Sequence, residues 1–309
     1  MSAQAVLFDA PGPKARQRHL VLTIVGGLII AAVLALVIYQ MGVRGQLEAA
    51  KWTPFLTPGA WTNYLLRGLW GTLSAAVVSV AAAGVLGLLL GVGRLSGVAW
   101  LRWLSGVIVE FFRAVPVLIM MIFLFSIFSR NGVFLPSINP FMAVVIALTL
   151  YNGSVIAELV RSGVNSLPKG QAEAGLSIGL TPGQTLRAIQ LPQALVAMLP
   201  ALMGQLVVVI KDSALGYGIT YTELLSQSRT LGSAFSNTVP AYIVAAVIFI
   251  VLNWALTRLA SWVQVRLSRR GRTAGPVAGT QPTLMAGAAV AAVATDAGTE
   301  EVAEGQQTN

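Results

Sequence analysis

The sequence predicts an all-α integral membrane protein of about six transmembrane helices, and three observations lead there. Hydrophobic residues make up 56% of the 309-residue chain and charged residues only 10%, where a soluble domain carries about a quarter charged. Mean hydropathy is +0.76. The apolar residues fall in runs of about 20, the length a helix needs to cross roughly 30 Å of hydrocarbon, and Lys and Arg gather at the ends of those runs. The net charge of +9 therefore encodes orientation in a lipid membrane and does not point to nucleic acid. Cysteine is absent, which excludes a disulfide framework, and the single histidine, His19, stands at an apolar boundary, so no metal centre is expected.

The elements follow in order. Lys14, Arg16 and Arg18 close a leader, residues 1–18, and precede the first apolar run, 19–41. That run is longer than the 7–15 residues of a signal-peptide core and is expected to remain as a span. Positive-inside bias places the leader in the cytoplasm and the connection 42–65 outside, with Trp52 and Trp61 suited to an interface. A second run, Gly68 to Gly93, is rich in Gly and Ala, as tightly packed membrane helices are. The third begins as the amphipathic stretch WLRWLSGVIVEFFRAVP and continues to Arg130, with Pro116 kinking or restarting the helix. The fourth covers about Phe141 to Val164, the fifth is ALVAMLPALMGQLVVVI, interrupted by KDSALGYG, and the sixth runs from Ala241 to about Val265. Arg266, Arg269, Arg270 and Arg272 then place the second terminus in the cytoplasm as well. Residues 266–309 read as a basic end and a disordered tail, because the most apolar piece, LMAGAAVAAVA, is too short to span.

Between the fourth and fifth spans lies a polar segment, 170–193, which alternation puts in the cytoplasm. It reads as two short helices: Gln171 to Ile178, ended by Gly179, and a second capped by Thr181 with Pro182 at its first position. The second is expected to stop before Leu191-Pro192, since the residue ahead of a proline avoids helical geometry. Such a knob is a shape another protein can grip, and an ordinary polar loop is the plainer alternative.

EAGLSIGLTPGQTLRAIQLP resembles the cytoplasmic EAA loop of permease subunits of bacterial ABC importers: Glu-Ala-Ala, three residues, Gly, nine residues, then Ile-x-Leu-Pro. Glu173, Ala174, Gly179, Ile189, Leu191 and Pro192 sit at matching positions, while Gly175 replaces the usual alanine, a departure expected to loosen the helix slightly. EFFRAVPVL, AELVRSGVNSLPKGQAEA and VVVIKDSAL resemble segments of the polar-amino-acid branch, and VLFDAPGPKARQRH resembles the leader of actinobacterial glutamate-importer permeases. The resemblance covers about Leu66 to Val265 and implies a type I importer permease fold in the domain 66–265. It also implies a polar amino acid as substrate, glutamate or a relative, and a loop that inserts into an ATPase subunit. In that loop Glu173 would supply a charged contact, Gly179 the turn and Leu191-Pro192 the rigid return. Further partners would be an extracytoplasmic substrate-binding protein and a second permease subunit, a sister chain. The sequence has no G-x-x-x-x-G-K-[ST] and no Gly-Lys dipeptide, so ATP and Mg²⁺ would be handled by the partner ATPase and this chain would be no enzyme.

Ionisable groups inside spans mark candidate pathways, because charge in hydrocarbon costs about 2.5–3.5 kcal/mol even on insertion scales. Lys211, Asp212 and Ser213 interrupt the fifth span, where free backbone groups and two opposite charges would suit an amino acid; a structural ion pair is the alternative. Asn152 lines a path or bonds a neighbouring helix. Glu158 and Arg161, three apart, are expected to pair locally, and Glu110 and Arg113 share that spacing. A secondary transporter or channel would need coupling groups of its own, and the spans offer few acids; a membrane enzyme would need a catalytic constellation, and none is visible.

Overall fold

The computed structural model describes residues 12–271, and among them every regular element is a helix. Two units divide the chain, Met1–Val265, which carries the helical bundle, and Arg266–Asn309. Most of the expected leader and the expected disordered tail lie outside the described residues.

Helix α1 (Pro13–Val43) starts with proline in its first turn, where the missing N–H costs nothing, and is longer at both ends than the apolar run. None of its apolar stretch is buried against the rest of the chain. The connection 42–65 is not an open loop. It folds into α2 (Ala49–Trp52), a 3₁₀ turn (Thr53–Leu56), α3 (Pro58–Ala60) and a π turn (Trp61–Leu65) that passes directly into α4 (Leu66–Arg94). Phe55, Ala60 and Leu65 pack with Leu224, Leu231, Ala241 and Ala245. Trp52 and Trp61 donate their indole N–H groups to the carbonyls of Gln46 and Phe55 at 3.0 and 2.7 Å. A segment covered in this way must satisfy its backbone internally, and short helical turns do so.

Helices α5 (Ala99–Ala114) and α6 (Val117–Asn131) come from the third run, and they meet at 98°. The cause is Pro116, which forces Val115 into an extended conformation (ψ 124°) and ends α5, then caps α6. Trp100, Trp103, Leu104, Val107 and Phe111 form an exposed stripe along α5, while Ser105 and Val109 are buried. Among the described residues five helices are long and apolar enough to cross a membrane, and the count reaches six when the bent pair is taken as one span.

Helix α7 (Asn139–Asn165) is the centre of the bundle, packed most extensively against α4. The glycines of α4 make this approach possible: a Cβ at Gly87 would stand 2.6 Å from Cβ of Ile156, and one at Gly91 would stand 2.8 Å from Cβ of Val160. Met121, Val144, Leu148 and Val209 complete the core. Beyond α7 come α8 (Lys169–Ser177), α9 (Pro182–Thr185), a π turn (Leu186–Gln190), α10 (Leu191–Ser213), a 3₁₀ turn (Ala214–Ile219), α11 (Leu224–Ala234) and α12 (Thr238–Gly271).

Candidate functional site

The polar segment forms a rigid hook at the end of α7. Helix α8 closes in a Schellman motif, with Gly179 N–H donating to Leu176 O (3.0 Å) and Leu180 N–H to Gly175 O (3.1 Å). Gly179 holds φ +85°, a conformation that glycine adopts without a Cβ penalty. Helix α9 opens on a capping box: the Thr181 hydroxyl accepts from Gln184 N–H at 3.4 Å, and Gln184 Oε1 accepts from Thr181 N–H at 2.8 Å. Gln193 Nε2 donates to Gln171 Oε1 (3.0 Å), tying the base of α10 to α8.

Two expectations about this segment need correction. The helix does not stop before Leu191-Pro192: the turn Leu186–Gln190 widens to π geometry and α10 continues, with Pro192 in its first turn. A widened turn accommodates a residue that brings a ring and no N–H, so Leu191-Pro192 joins two helical segments and is not a chain reversal. Nor does Gly175 loosen α8. It is the buried residue of that helix, and a Cβ there would stand 2.7 Å from Thr185 Cγ2 and 3.0 Å from Ile189 Cδ1. The missing methyl lets α8 lie closer to α9. Glu173 and Ala174 are exposed, as are Leu176 and Ile178, the latter at 76%. The hook thus presents a carboxylate beside two uncovered aliphatic side chains.

Behind the hook, Leu186, Val164 and Ala194 pack with Leu95, Leu167 and Leu191, joining it to the last turn of α4. A cavity of ≈ 240 Å³ lies here, between the α4–α5 connection with the start of α5 (Leu95, Ser96, Leu101) and α9 with the π turn that follows it (Pro182, Leu186, Arg187). Arg94, at the end of α4, bridges Glu158 on α7 (2.8 Å) and Glu110 on α5 (3.2 Å). Glu158 also pairs with Arg161 (2.6 Å), and Glu110 with Arg113 (3.7 Å). The local pairs follow from spacing; Arg94 as the centre that links three helices does not, because its partners lie 16 and 64 positions away.

At the opposite end of α4 the second candidate segment takes shape. Helix α10 runs through Lys211, Asp212 and Ser213, then tightens into the 3₁₀ turn and ends at Thr220, φ +60°. The interruption expected over KDSALGYG is thus a change of helical pitch after Ser213. Lys211 is exposed and Asp212 half-buried, with no ion pair within 4.0 Å for either among the described residues. Ser213 is fully buried and donates to Ile210 O (2.7 Å). Asn152 is fully buried and donates to Leu148 O (2.9 Å), and its Oδ1 has no partner.

Sequence reasoning missed Glu223. It is fully buried between the last two spans, and its oxygens accept from Leu225 N–H (2.7 Å) and Ser226 N–H (2.6 Å), capping α11. Burial pushes its carboxyl up to about 7, and the two backbone bonds pull the other way. Gly71 lets α11 come close: a Cβ there would stand 2.0 Å from the Thr222 carbonyl oxygen. Thr72 Oγ1 accepts from Leu224 N–H (3.1 Å). No periodicity marks such a residue; a glutamate directly ahead of a helical pattern was the one available sign.

A family model described as binding-protein-dependent transport system inner membrane component matches residues 83–269. The glutamate transport system permease protein GluD of Corynebacterium glutamicum is 52% identical over 229 residues, 74% of this chain and 84% of that protein. The L-cystine transport system permease protein TcyB of Bacillus subtilis is 32% identical over 66% of this chain and 87% of its own length. Among solved structures, an amino acid ABC transporter crystallised with histidines superposes with a TM-score of 0.61 at 27% identity, covering 67% of this chain and 95% of that one. The methionine transporter MetNI in an inward-facing state gives 0.59 at 22% identity over 68% and 99%, a likeness of fold. With a bundle of membrane-length helices, a hook at the position the motif marks and a family match over more than half its length, the chain belongs to the inner-membrane components of binding-protein-dependent transport systems.

Proposed function

We propose that this permease imports glutamate or a closely related polar amino acid, and that the α8–α9 hook carries the movement of a separate ATPase subunit into the bundle. The observation that carries the coupling role is the hook itself: Glu173, Ala174, Leu176 and Ile178 are exposed beside a turn fixed by a Schellman motif and a capping box that adjoin between Gly179 and Thr181. Exposed aliphatic groups beside a carboxylate suit a protein groove, and a rigid hook transmits displacement that a mobile loop would absorb. Ile189 and the Leu191-Pro192 join carry it into α10. ATP and Mg²⁺ belong to the ATPase, which binds as a dimer. Both termini and the hook face the cytoplasm, and a second permease, a sister chain, completes the pathway. The substrate arrives from an extracytoplasmic binding protein. Likeness to the corynebacterial glutamate permease supports the choice of substrate.

In this reading Lys211 and Asp212 face the passing amino acid, with Ser213 and Asn152 behind them in the packed bundle. Lys211→Ala removes a positive charge from the pathway, so transport of an acidic substrate falls more than that of a neutral one. The test is uptake of glutamate and glutamine side by side at matched membrane levels. Selective loss of glutamate uptake supports the pathway role; equal loss with failed complex assembly assigns the pair to structure and withdraws both residues from the pathway.

A further inference from the structure

Arg229 lies on the exposed side of α11. Leu224, Ser228, Leu231 and Gly232 are buried and form one helical face, and Arg229 is exposed on another. Its guanidinium sits over the ring of Tyr217, 5.4 Å from the centroid, and donates a hydrogen bond to the Tyr217 hydroxyl. Tyr217 belongs to the 3₁₀ turn that directly follows Lys211, Asp212 and Ser213. An arginine held over an aromatic ring and bonded at the edge has lost much of its rotamer freedom before any ligand arrives.

Among the described residues no carboxylate lies within 4.0 Å of Arg229, and the same holds for Lys211. The nearest acid in sequence, Glu223, points its oxygens at the backbone of Leu225 and Ser226 and is buried. Tyr221, on the same connection, donates to Gly71 O, near the start of α4, whereas Arg94 and the hook lie at its far end. Gly71 and Gly91 are twenty positions apart in one helix, about 30 Å at 1.5 Å per residue. The oriented guanidinium, without a carboxylate partner among the described residues, therefore stands about the hydrocarbon thickness away from the hook, exposed near the start of α4.

We propose that Arg229, positioned by Tyr217, receives the side-chain carboxylate of an acidic amino acid as it enters the bundle, and so sets the preference for acidic over neutral substrates. The fork of N–H donors left free by Tyr217 fits a carboxylate in two parallel bonds. An amide, which offers one acceptor and a donor that faces the fork, fits poorly. This inference rests on the reading of glutamate as substrate.

The test uses the importer complex in liposomes, with ATP and Mg²⁺ on the ATPase side and a titration of glutamate-loaded binding protein on the other, for wild type, Arg229→Gln, Arg229→Lys and Tyr217→Phe. Size-exclusion chromatography verifies assembly of each variant. Arg229→Gln is expected to lower maximal glutamate uptake at least about tenfold with the half-saturating concentration of binding protein unchanged. Arg229→Lys retains a charge without the fork and falls between, as does Tyr217→Phe, which keeps the ring and loses the hydroxyl. Unchanged maximal uptake by assembled Arg229→Gln overturns the inference. So does a raised half-saturating concentration at unchanged maximal uptake, which places Arg229 at the surface that grips the binding protein. A wild-type complex that fails to take up glutamate is a separate result, which overturns the substrate reading itself.

Discussion

Gly175 and Glu223 show how single residues set local geometry that their neighbours cannot replace. At Gly175 even an alanine meets Thr185 Cγ2 at 2.7 Å, so Gly175→Ala pushes α8 away from α9. Overpacking of this kind costs about 1–3 kcal/mol, and the expected result is reduced uptake with normal membrane insertion, checked by uptake at matched protein levels. Glu223 gives a pH dependence whose sign follows from its carboxyl standing at about 7 in the fold, against about 4.5 for an ordinary glutamate. Below the lower value both states are protonated and the group leaves stability at its full level. As pH rises towards 7 the unfolded chain releases this proton first, so the contribution is lost across that window. The thermal midpoint of the detergent-solubilised protein is expected to fall between pH 5 and 7.5, and Glu223→Gln to flatten that slope. An equal slope in the variant assigns the dependence to other groups.

At the scale of elements, the close α4–α7 pair and the ionic junction at Arg94 tie the bundle together. Gly87→Val and Gly91→Val place branched side chains where α7 already stands, 2.6 and 2.8 Å from a prospective Cβ, so both are expected to abolish accumulation of folded protein, read by fluorescence-detected size exclusion. Arg94→Ala removes the cation that Glu110 and Glu158 share, while Arg113 and Arg161 still pair with them, so the expected result is a modest fall in the thermal midpoint, on the order of 1 kcal/mol in stability. Helix existence was legible from apolar periodicity, as were the Thr181 cap, the Gly179 turn and the Glu158–Arg161 pair, because each depends on residues a few positions apart. The rest depends on contacts distant in sequence. Residues 42–65 became helical because Phe55, Ala60 and Leu65 are covered by residues of the last third of the chain, and α5 turned through 98° from α6 because neighbouring helices decide where a proline break leads. At Pro192 the local rule against helix ahead of proline gave way to a π turn that keeps the backbone continuous.

For the whole molecule, the hook sits at one end of α4 and the Arg229–Tyr217 pair near the other, joined by a bundle whose central helices touch through glycine. Such a bundle transmits displacement where helices touch closely, as α4 and α7 do through Gly87 and Gly91. The motif residues of the hook were legible before the structure, since a motif of spaced residues is a local feature; how the hook is braced against Leu95 was not. The most direct measurement of the coupling claim is ATP-driven glutamate uptake by vesicles containing the complete complex, with wild type compared against a variant carrying Glu173→Ala and Gly179→Val. The first substitution removes the exposed carboxylate, and the second forces a branched side chain into φ +85°, so the hook loses both its contact and its turn. The account predicts normal insertion and no ATP-dependent uptake. Full uptake by a well-expressed double variant would contradict it.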